Sequence, residues 1–388
     1  MIGDITNVSR LAKAHAKLDK EVIDATIGVF YDDEGIIGYS KVFEKVRCEV
    51  SPNERFNYGA VSGGAEFEEN VMKWVFGNQR PTLSHRVLAT MGATGALSNA
   101  FDLYKKPNYS VLVSDLYWHN YQLIAQAHDM DLKQYQMFKD NQLFFDDLKT
   151  KALELSQKQN RLIIILNYPA HNPTGYSLNE VEMNAFINLI NELSILIPIV
   201  LIFDIAYLDL NRHSSHFQLL NKIQENVTII IAYSFSKSLG LYGLRLGAAI
   251  VLTSKSEENN QIFSNLYFLA RTKWSSPNQE AIATFNKIMS SDTLTDKVIT
   301  EITELKKALQ RRSKLFLSKL TNANIITYPY HQGFFITIPH DDSLDLCERL
   351  KLRKVYVVPL NKGIRVAIAS LSTEKILLLA EHLIAELT

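Results

Sequence analysis

A chain of 388 residues exceeds what one small core organises, so two domains are expected. Its 41 Lys and Arg residues balance 41 Asp and Glu, which leaves no net charge to draw it to nucleic acid or an anionic membrane, and 47% hydrophobic with 21% charged residues is ordinary for a soluble globular protein. Two cysteines, Cys48 and Cys347, exclude a disulfide framework, and the opening stretch MIGDITNVSRLAKAHAKLDK has no apolar signal core, so a cytoplasmic location is expected.

In chain order, the first forty or so residues hold no parallel-strand pattern. ATMGATGALSNA at 89–100 reads as strand, glycine turn and helix. Three short runs are apolar throughout or nearly so: LIIIL at 162–166, IVLIF at 199–203 and VTIIIA at 227–232. Runs of this length suit parallel strands buried on both faces. Between the first two, residues 180–196 carry Val181, Met183, Phe186, Ile187, Leu189, Ile190 and Leu193 at helical spacing. The longest apolar stretch, 195–203, is interrupted by Pro198 and falls well short of the ~20 residues of a membrane helix. After Pro277 the texture changes. A long helical pattern runs from about 294 to 320 through Leu294, Val298, Ile302, Leu305 and Leu309. Two strand candidates follow at 334–338 and 363–369, and a last helix runs from near Ser372 to Leu387. The expected fold class is α/β: a large domain, 44–293, with a mostly parallel sheet flanked by helices, and a smaller α+β domain made of 1–43 and 294–388. No internal repeat or low-complexity segment is found.

The strongest chemical signal is SFSKSLGLYGLRLG at 234–247, directly after an apolar strand. A lysine at the end of a buried strand is costly unless it is used or paired. Around Lys237 stand Ser234, Ser236, Arg245 and three glycines, Gly240, Gly243 and Gly247. Hydroxyls and an arginine suit a phosphate, and glycines let backbone approach it. A lysine beside a phosphate site suggests a Schiff base with pyridoxal phosphate. The competing reading is a strand end with a solvated lysine and a glycine-rich turn. Asp204 directly follows another apolar run, at the strand end where parallel sheets bind ligands, and Tyr207, three residues on, can face the same site. A strand-end aspartate is otherwise a cap or turn former. His213 and His216 lack a third partner, so no metal site is assigned.

Taken together, HNPTG at 171–175, FDIAY at 203–207, and SFSK with its trailing arginine resemble, in this order, the class I aminotransferases among fold-type-I pyridoxal-phosphate enzymes. The branch most similar contains the aspartate and aromatic amino acid aminotransferases. The likeness extends from IGVFYDDEG at 27–35 to GIRVAIA at 363–369. It implies that Lys237 carries the cofactor and shuttles the proton at the substrate Cα. It further implies that Asp204 pairs with the pyridinium nitrogen and that Asn172 and Tyr207 donate to the phenolic oxygen. Ser234, Arg245, Ala93 and Thr94 are implied at the phosphate, the last two at a helix start whose amides face an anion. The alternative at Thr94 is a simple helix cap. Trp118, with Tyr117 and Tyr121 as neighbours in register, matches the residue that stacks on the ring. A histidine often lies three residues after that position in the aspartate enzymes; here it is Tyr121, which leaves any relay to Asp204 open. Arg365 matches the arginine for the α-carboxylate, with the Gly28 amide nearby. Arg271 matches one that reaches a dicarboxylate side chain from the neighbouring subunit, although Ser276 replaces the usual asparagine of that motif. Tyr58 matches a tyrosine that reaches the neighbouring subunit's phosphate. The implied protein is a homodimer with shared active sites. It moves an amino group between an aromatic or dicarboxylic amino acid and a 2-oxo acid, with 2-oxoglutarate the favoured acceptor. The rivals are a lyase of the same fold and a noncatalytic pyridoxal-phosphate-binding regulatory module.

Overall fold

The computed structural model describes residues 5–388; residues 1–4, part of the stretch read above for a signal core and of the 1–43 segment, lie outside it. The contacts divide the chain into two units. One, the smaller, gathers the described residues up to Tyr39 with Ala170–Ser177 and Ile302–Thr388; the other holds Ser40–Pro169 and Leu178–Glu301.

The larger unit is built on seven strands: β1 (Ser84–Met91), β2 (Ser110–Ser114), β3 (Asp131–Tyr135), β4 (Leu162–Asn167), β5 (Ile199–Asp204), β6 (Val227–Ser234) and β7 (Leu246–Thr253), in the order β1-β7-β6-β5-β4-β2-β3. β7 runs antiparallel to both its neighbours, and the other pairs are parallel. Every residue of β4, β5 and β6 is buried, so both faces of the sheet centre are covered. This explains why their sequences are continuous apolar runs rather than alternating ones. Registers Asn167↔Asp204 and Asp204↔Ala232 align the C-terminal ends of these three strands.

Helices α1 (Gly92–Tyr104), α2 (Asn120–Ala127), α3 (Glu180–Ser194) and α4 (Ser256–Lys273) belong to this unit. The helical spacing at 180–196 is realised as α3, whose start is fixed by a capping box. The Asn179 side chain accepts from the Glu182 amide at 2.9 Å, and the Glu182 carboxylate accepts from the Asn179 amide at 2.8 Å. The long pattern after Pro277 becomes α5 (Asp292–Asn322).

The smaller unit holds an antiparallel sheet of β8 (Phe335–Ile338), β9 (Val358–Leu360) and β10 (Gly363–Ala367), in the order β8-β10-β9. Helix α6 (Thr373–Leu387) starts at the Ser372 cap and buries Ile376, Leu379, Ala380 and Leu383 in the same core. The strand expected over 363–369 stops at Ala367, because the chain turns into a short 3-10 helix, Ile368–Ser370. The first forty residues, which show no parallel-strand pattern in sequence, contribute one short parallel pair: Ile23–Asp24 with Val355–Tyr356. Among the described residues, no helix is long and apolar enough to cross a membrane.

Candidate active site

In the larger unit the chemistry gathers at the C-terminal ends of β4, β5 and β6. Asp204 ends β5 and is 3% exposed. Its Oδ2 accepts from the Tyr121 hydroxyl at 2.6 Å and its Oδ1 from the Ala206 amide at 3.1 Å. The Asn167 side chain, from the end of β4, donates to the Asp204 carbonyl at 3.1 Å. Burial pushes the Asp204 carboxyl above its usual range; the donors Tyr121, Ala206 and Asn167 and the charge of Lys237 pull the other way without reversing it. A buried carboxylate in that condition gains from a cation brought beside it.

β6 ends at Ser234, and the chain turns at once into the segment bearing Lys237. The Ser236 amide donates to the Ser234 hydroxyl at 3.2 Å, which closes the turn. Lys237 is half-buried, with its Nζ 5.7 Å from the Tyr207 ring centre and 5.4 Å from that of Tyr242. Tyr207 is buried just after β5. The structure thus brings Lys237, Asp204 and Tyr207 to neighbouring strand ends.

An anion cradle adjoins β7. Helix α1 begins at Gly92 with no side chain capping it. The first-turn amides of a helix have no intrahelical acceptor, so Ala93 and Thr94 lie where backbone donors are on offer. Thr94 sits inside the first turn and not at the cap position, which is Met91. The Arg245 carbonyl accepts from the Gly92 amide at 3.0 Å, and its guanidinium donates to the Ser236 hydroxyl at 3.2 Å and to the Tyr242 carbonyl at 3.0 Å. A Cβ at Gly92 would stand 2.8 Å from Arg245 Nη2, and one at Gly247 would stand 2.4 Å from the Gly92 carbonyl carbon. At Gly247, where the obstacle is backbone, only glycine permits that approach. A guanidinium, hydroxyls and an uncapped helix start form a donor set that fits a phosphate, and the buried anion Asp204 fits a ring nitrogen that carries a proton. The residues present therefore fit pyridoxal phosphate.

Trp118 and Tyr117 are partly buried against the same core. The Trp118 ring meets Tyr121 edge-on, with 5.6 Å between centroids. Arg271, in the last turn of α4, is exposed and donates to the Ser275 hydroxyl at 3.0 Å. Tyr58 is 91% exposed. Neither of these two joins the strand-end cluster within this chain's larger unit.

The smaller unit carries its own polar cluster. Arg365, on β10, is buried; its Nη2 donates to the Thr26 carbonyl at 2.7 Å and its Nη1 to Asn172 Oδ1 at 3.2 Å, while its guanidinium carbon stands 4.2 Å from the Phe335 ring centre. The Asn172 segment is fastened from β8, where the Thr337 hydroxyl donates to the Pro173 carbonyl at 2.8 Å. Gly28 lies two residues beyond Thr26 and is half-buried. The loop after it is held by Arg312, which donates to the Tyr31 carbonyl at 2.8 Å, the Asp33 carboxylate at 3.0 Å and the Ala369 carbonyl at 3.1 Å. Burial acts to raise the Asp33 carboxyl, but donation from Arg312 and Thr373 holds it below the usual range.

Three groups with a part in these clusters escaped sequence reasoning. Tyr121 reads in the sequence only as a departure from the family pattern, and nothing in its spacing points to Asp204, 83 residues on. Asp209 is buried and accepts from Tyr233 at 2.7 Å, and also from Ser238 and Arg212. It thereby fixes the residue next to Lys237. Arg312 is one arginine among several in a long helix, and its sequence neighbourhood gives no sign of burial.

The family model described as Aminotransferase class I and II matches residues 20–383. The chain is 26% identical over 386 residues to the aspartate aminotransferase of Salmonella typhi, covering 94% of this chain and 93% of that one. It is 24% identical over 369 residues to the aromatic-amino-acid aminotransferase of Escherichia coli K12, covering 91% and 90%. Among solved structures, an aminotransferase from Anaerococcus prevotii superposes with a TM-score of 0.94 at 27% identity over 98% of this chain and 95% of that one. The aromatic-amino-acid aminotransferase of Burkholderia pseudomallei, solved covalently bound to pyridoxal phosphate, shares the fold with a TM-score of 0.85 at 21% identity over 100% and 98%.

Proposed function

This chain belongs to the class I and II aminotransferase family, whose members depend on pyridoxal phosphate, and from that premise we propose that it exchanges an amino group between a dicarboxylic or aromatic amino acid and a 2-oxo acid, with 2-oxoglutarate as the favoured acceptor. The cofactor, when bound, supplies an electron sink that lets the substrate Cα lose its proton.

The observation that carries the reading is the strand-end cluster of Lys237 and buried Asp204 beside an uncapped helix start with Arg245. Lys237 holds the cofactor covalently and moves the proton at the substrate Cα. Asp204 offers its anion to the ring nitrogen, supported by a carboxyl that burial makes receptive to a cation. Ser234, Arg245 and the Ala93 and Thr94 amides hold the phosphate. Tyr207 and Asn172 donate to the phenolic oxygen, and Trp118 lies on the ring face. Arg365 takes the substrate α-carboxylate, with the Gly28 amide as a further donor. A planar fork already held by the Thr26 carbonyl and Asn172 is pre-aligned for such a bidentate contact.

Arg271 and Tyr58 serve a neighbouring subunit in a homodimer with shared sites. Their exposure on the single chain supports this. Two unpaired cysteines, one of them exposed, support a reducing, cytoplasmic location.

The test is a panel of amino donors against 2-oxoglutarate and pyruvate, following both oxo-acid products, with borohydride reduction and peptide mapping of the covalent adduct. Oxo-acid formation that requires an acceptor, and an adduct at Lys237, are expected. Ammonia release without an acceptor, or an adduct at another lysine, would overturn the reading.

A further inference from the structure

Tyr121 is the second residue of α2 and is 1% exposed, with its ring packed edge-on by Trp118. Its hydroxyl donates to Asp204 Oδ2 at 2.6 Å, and the Asn167 side chain also bonds it. The other carboxylate oxygen takes the Ala206 amide. Both oxygens of the buried anion are therefore held by neutral donors. The polar and titratable groups facing this pair include the Asn167 side chain from the end of β4, Tyr207 from the turn after β5, and Lys237 from the turn after β6. Removing a donor from a buried anion costs more than the net worth of the bond, since the charge is left undersolvated.

The identity of the donor matters as much as its presence. A phenol ionises near pH 10 in water, and here burial, and then the Asp204 charge, drive it well above that. Tyr121 thus remains a neutral donor throughout any working range. An imidazole in the same place, with an ordinary pKa near 6.5, would change charge in the middle of it.

We propose that Tyr121 is a positioning residue whose hydroxyl keeps the Asp204 carboxylate ionised and aimed, so that the anion offered to the cofactor ring nitrogen does not follow the external pH. This rests on the reading of Asp204 given above. Tyr121 touches neither the substrate nor the transferred proton; it acts only through Asp204.

The experiment uses Tyr121→Phe, Tyr121→His and Asp204→Asn beside the wild type. Cofactor dissociation constants for the apoenzymes and absorbance titrations of the loaded enzymes are measured from about pH 5 to 9, and melting temperatures are recorded for each. Tyr121→Phe removes one oxygen and keeps the ring. It is expected to weaken cofactor binding about tenfold, equivalent to about 1.4 kcal/mol, with a deficit relative to wild type that grows as the pH falls. Tyr121→His is expected to recover affinity and to add a titration step, at or above the ordinary imidazole value, that the wild type lacks. A Tyr121→Phe enzyme with wild-type affinity and pH profile, beside a perturbed Asp204→Asn, would overturn the inference and leave the Asp204 reading standing. A Tyr121→His enzyme without a new step would overturn the claim that a neutral donor removes the pH response. An Asp204→Asn enzyme whose bound chromophore is unmoved would overturn the Asp204 reading itself.

Discussion

The two units bury charge of opposite sign. The larger unit encloses carboxylates, Asp204 and Asp209, at the ends of strands and the turns that follow; the smaller unit encloses guanidinium groups, Arg312 and Arg365, among backbone carbonyls. The carboxylates themselves behave differently in the two regions. Asp204 is held by a hydroxyl and an amide, and its carboxyl is pushed up. Asp33 is held by a guanidinium and by Thr373, and its carboxyl is pulled down. A carboxylate already paired with an arginine is a structural fastening. One held by neutral groups keeps its attraction for a cation that arrives later. The chemical division of labour is thus visible in the partners rather than in the residue type.

The sharpest way to break this comparison is at Lys237. On the proposed reading, Lys237→Ala removes both the covalent tether and the group that moves the proton. Transamination is expected to fall by at least about 10⁴-fold in steady-state assays, the upper range for a lost acid–base group. Phosphate affinity should persist through Ser234 and Arg245. Normal turnover would show that the strand-end cluster is not the reacting site.

Asp204→Asn keeps the shape and removes the charge. Loss of one side of a buried pair is worth about 3–5 kcal/mol, and that loss should appear in kcat far more than in substrate binding. The stability of the cofactor-free protein should respond in the other sense. The folded pKa of Asp204 is raised, so its favourable contribution is present below the unfolded value and is lost as pH rises through the folded one. At neutral pH the charged side chain is a burden without its cation, and apo Asp204→Asn should melt no lower than the wild type. A clear drop in its melting temperature would mark Asp204 as a fastening like Asp33.

The arginines allow a similar contrast. Arg365 is buried and held by the Thr26 carbonyl and Asn172; Arg271 is exposed and donates to Ser275 one turn on. Arg271→Leu should depress kcat/KM for dicarboxylic substrates by one or more factors of ten, each about 1.4 kcal/mol. Aromatic donors should suffer far less in the half-reaction that omits 2-oxoglutarate. Equal losses for both would remove Arg271 from substrate selection.

The smallest effect is expected at Asp33. Its folded pKa is depressed, so its contribution is present above the unfolded value and lost as pH falls through the folded one. Partial exposure screens the pair with Arg312, and Asp33→Asn should cost only about 1–2 kcal/mol in denaturant unfolding at pH 7. That deficit should shrink in strong acid, where the wild type loses the charge as well. A deficit independent of pH would mean that the carboxylate charge is not what holds the loop.

The legible parts of the fold were those in which one physical cause acts locally. Strands β4, β5 and β6 had to be buried on both faces, so their sequences are apolar without alternation, and they stood out. The helices α3 and α5 showed themselves through three-and-four spacing. The pairing of Ile23–Asp24 with Val355–Tyr356 could not be read, because two residues carry no period and the partner lies more than three hundred positions away. The same limit applies to Tyr121. Its motif position is legible, yet its hydroxyl meets Asp204 only because the fold brings the start of α2 to the end of β5. Thr94 illustrates the reverse case: the helix start was foreseen, but its first residue is Gly92, which moves Thr94 out of the capping place.

The contact between Gly247 and Gly92 sets a boundary on how this enzyme can diversify. At that point strand β7 and the start of α1 touch through main chain, and a methyl group on Gly247 would run into the Gly92 backbone. The seat proposed for the phosphate is consequently moulded in part by the path of the polypeptide, where side-chain exchange has little leverage. Residues such as Arg271 stand at the surface, free to be replaced one at a time. A lineage built on this plan would be expected to wander widely in what it accepts while its grip on the phosphate stays nearly stationary, a ratchet in which specificity moves and the anchorage does not.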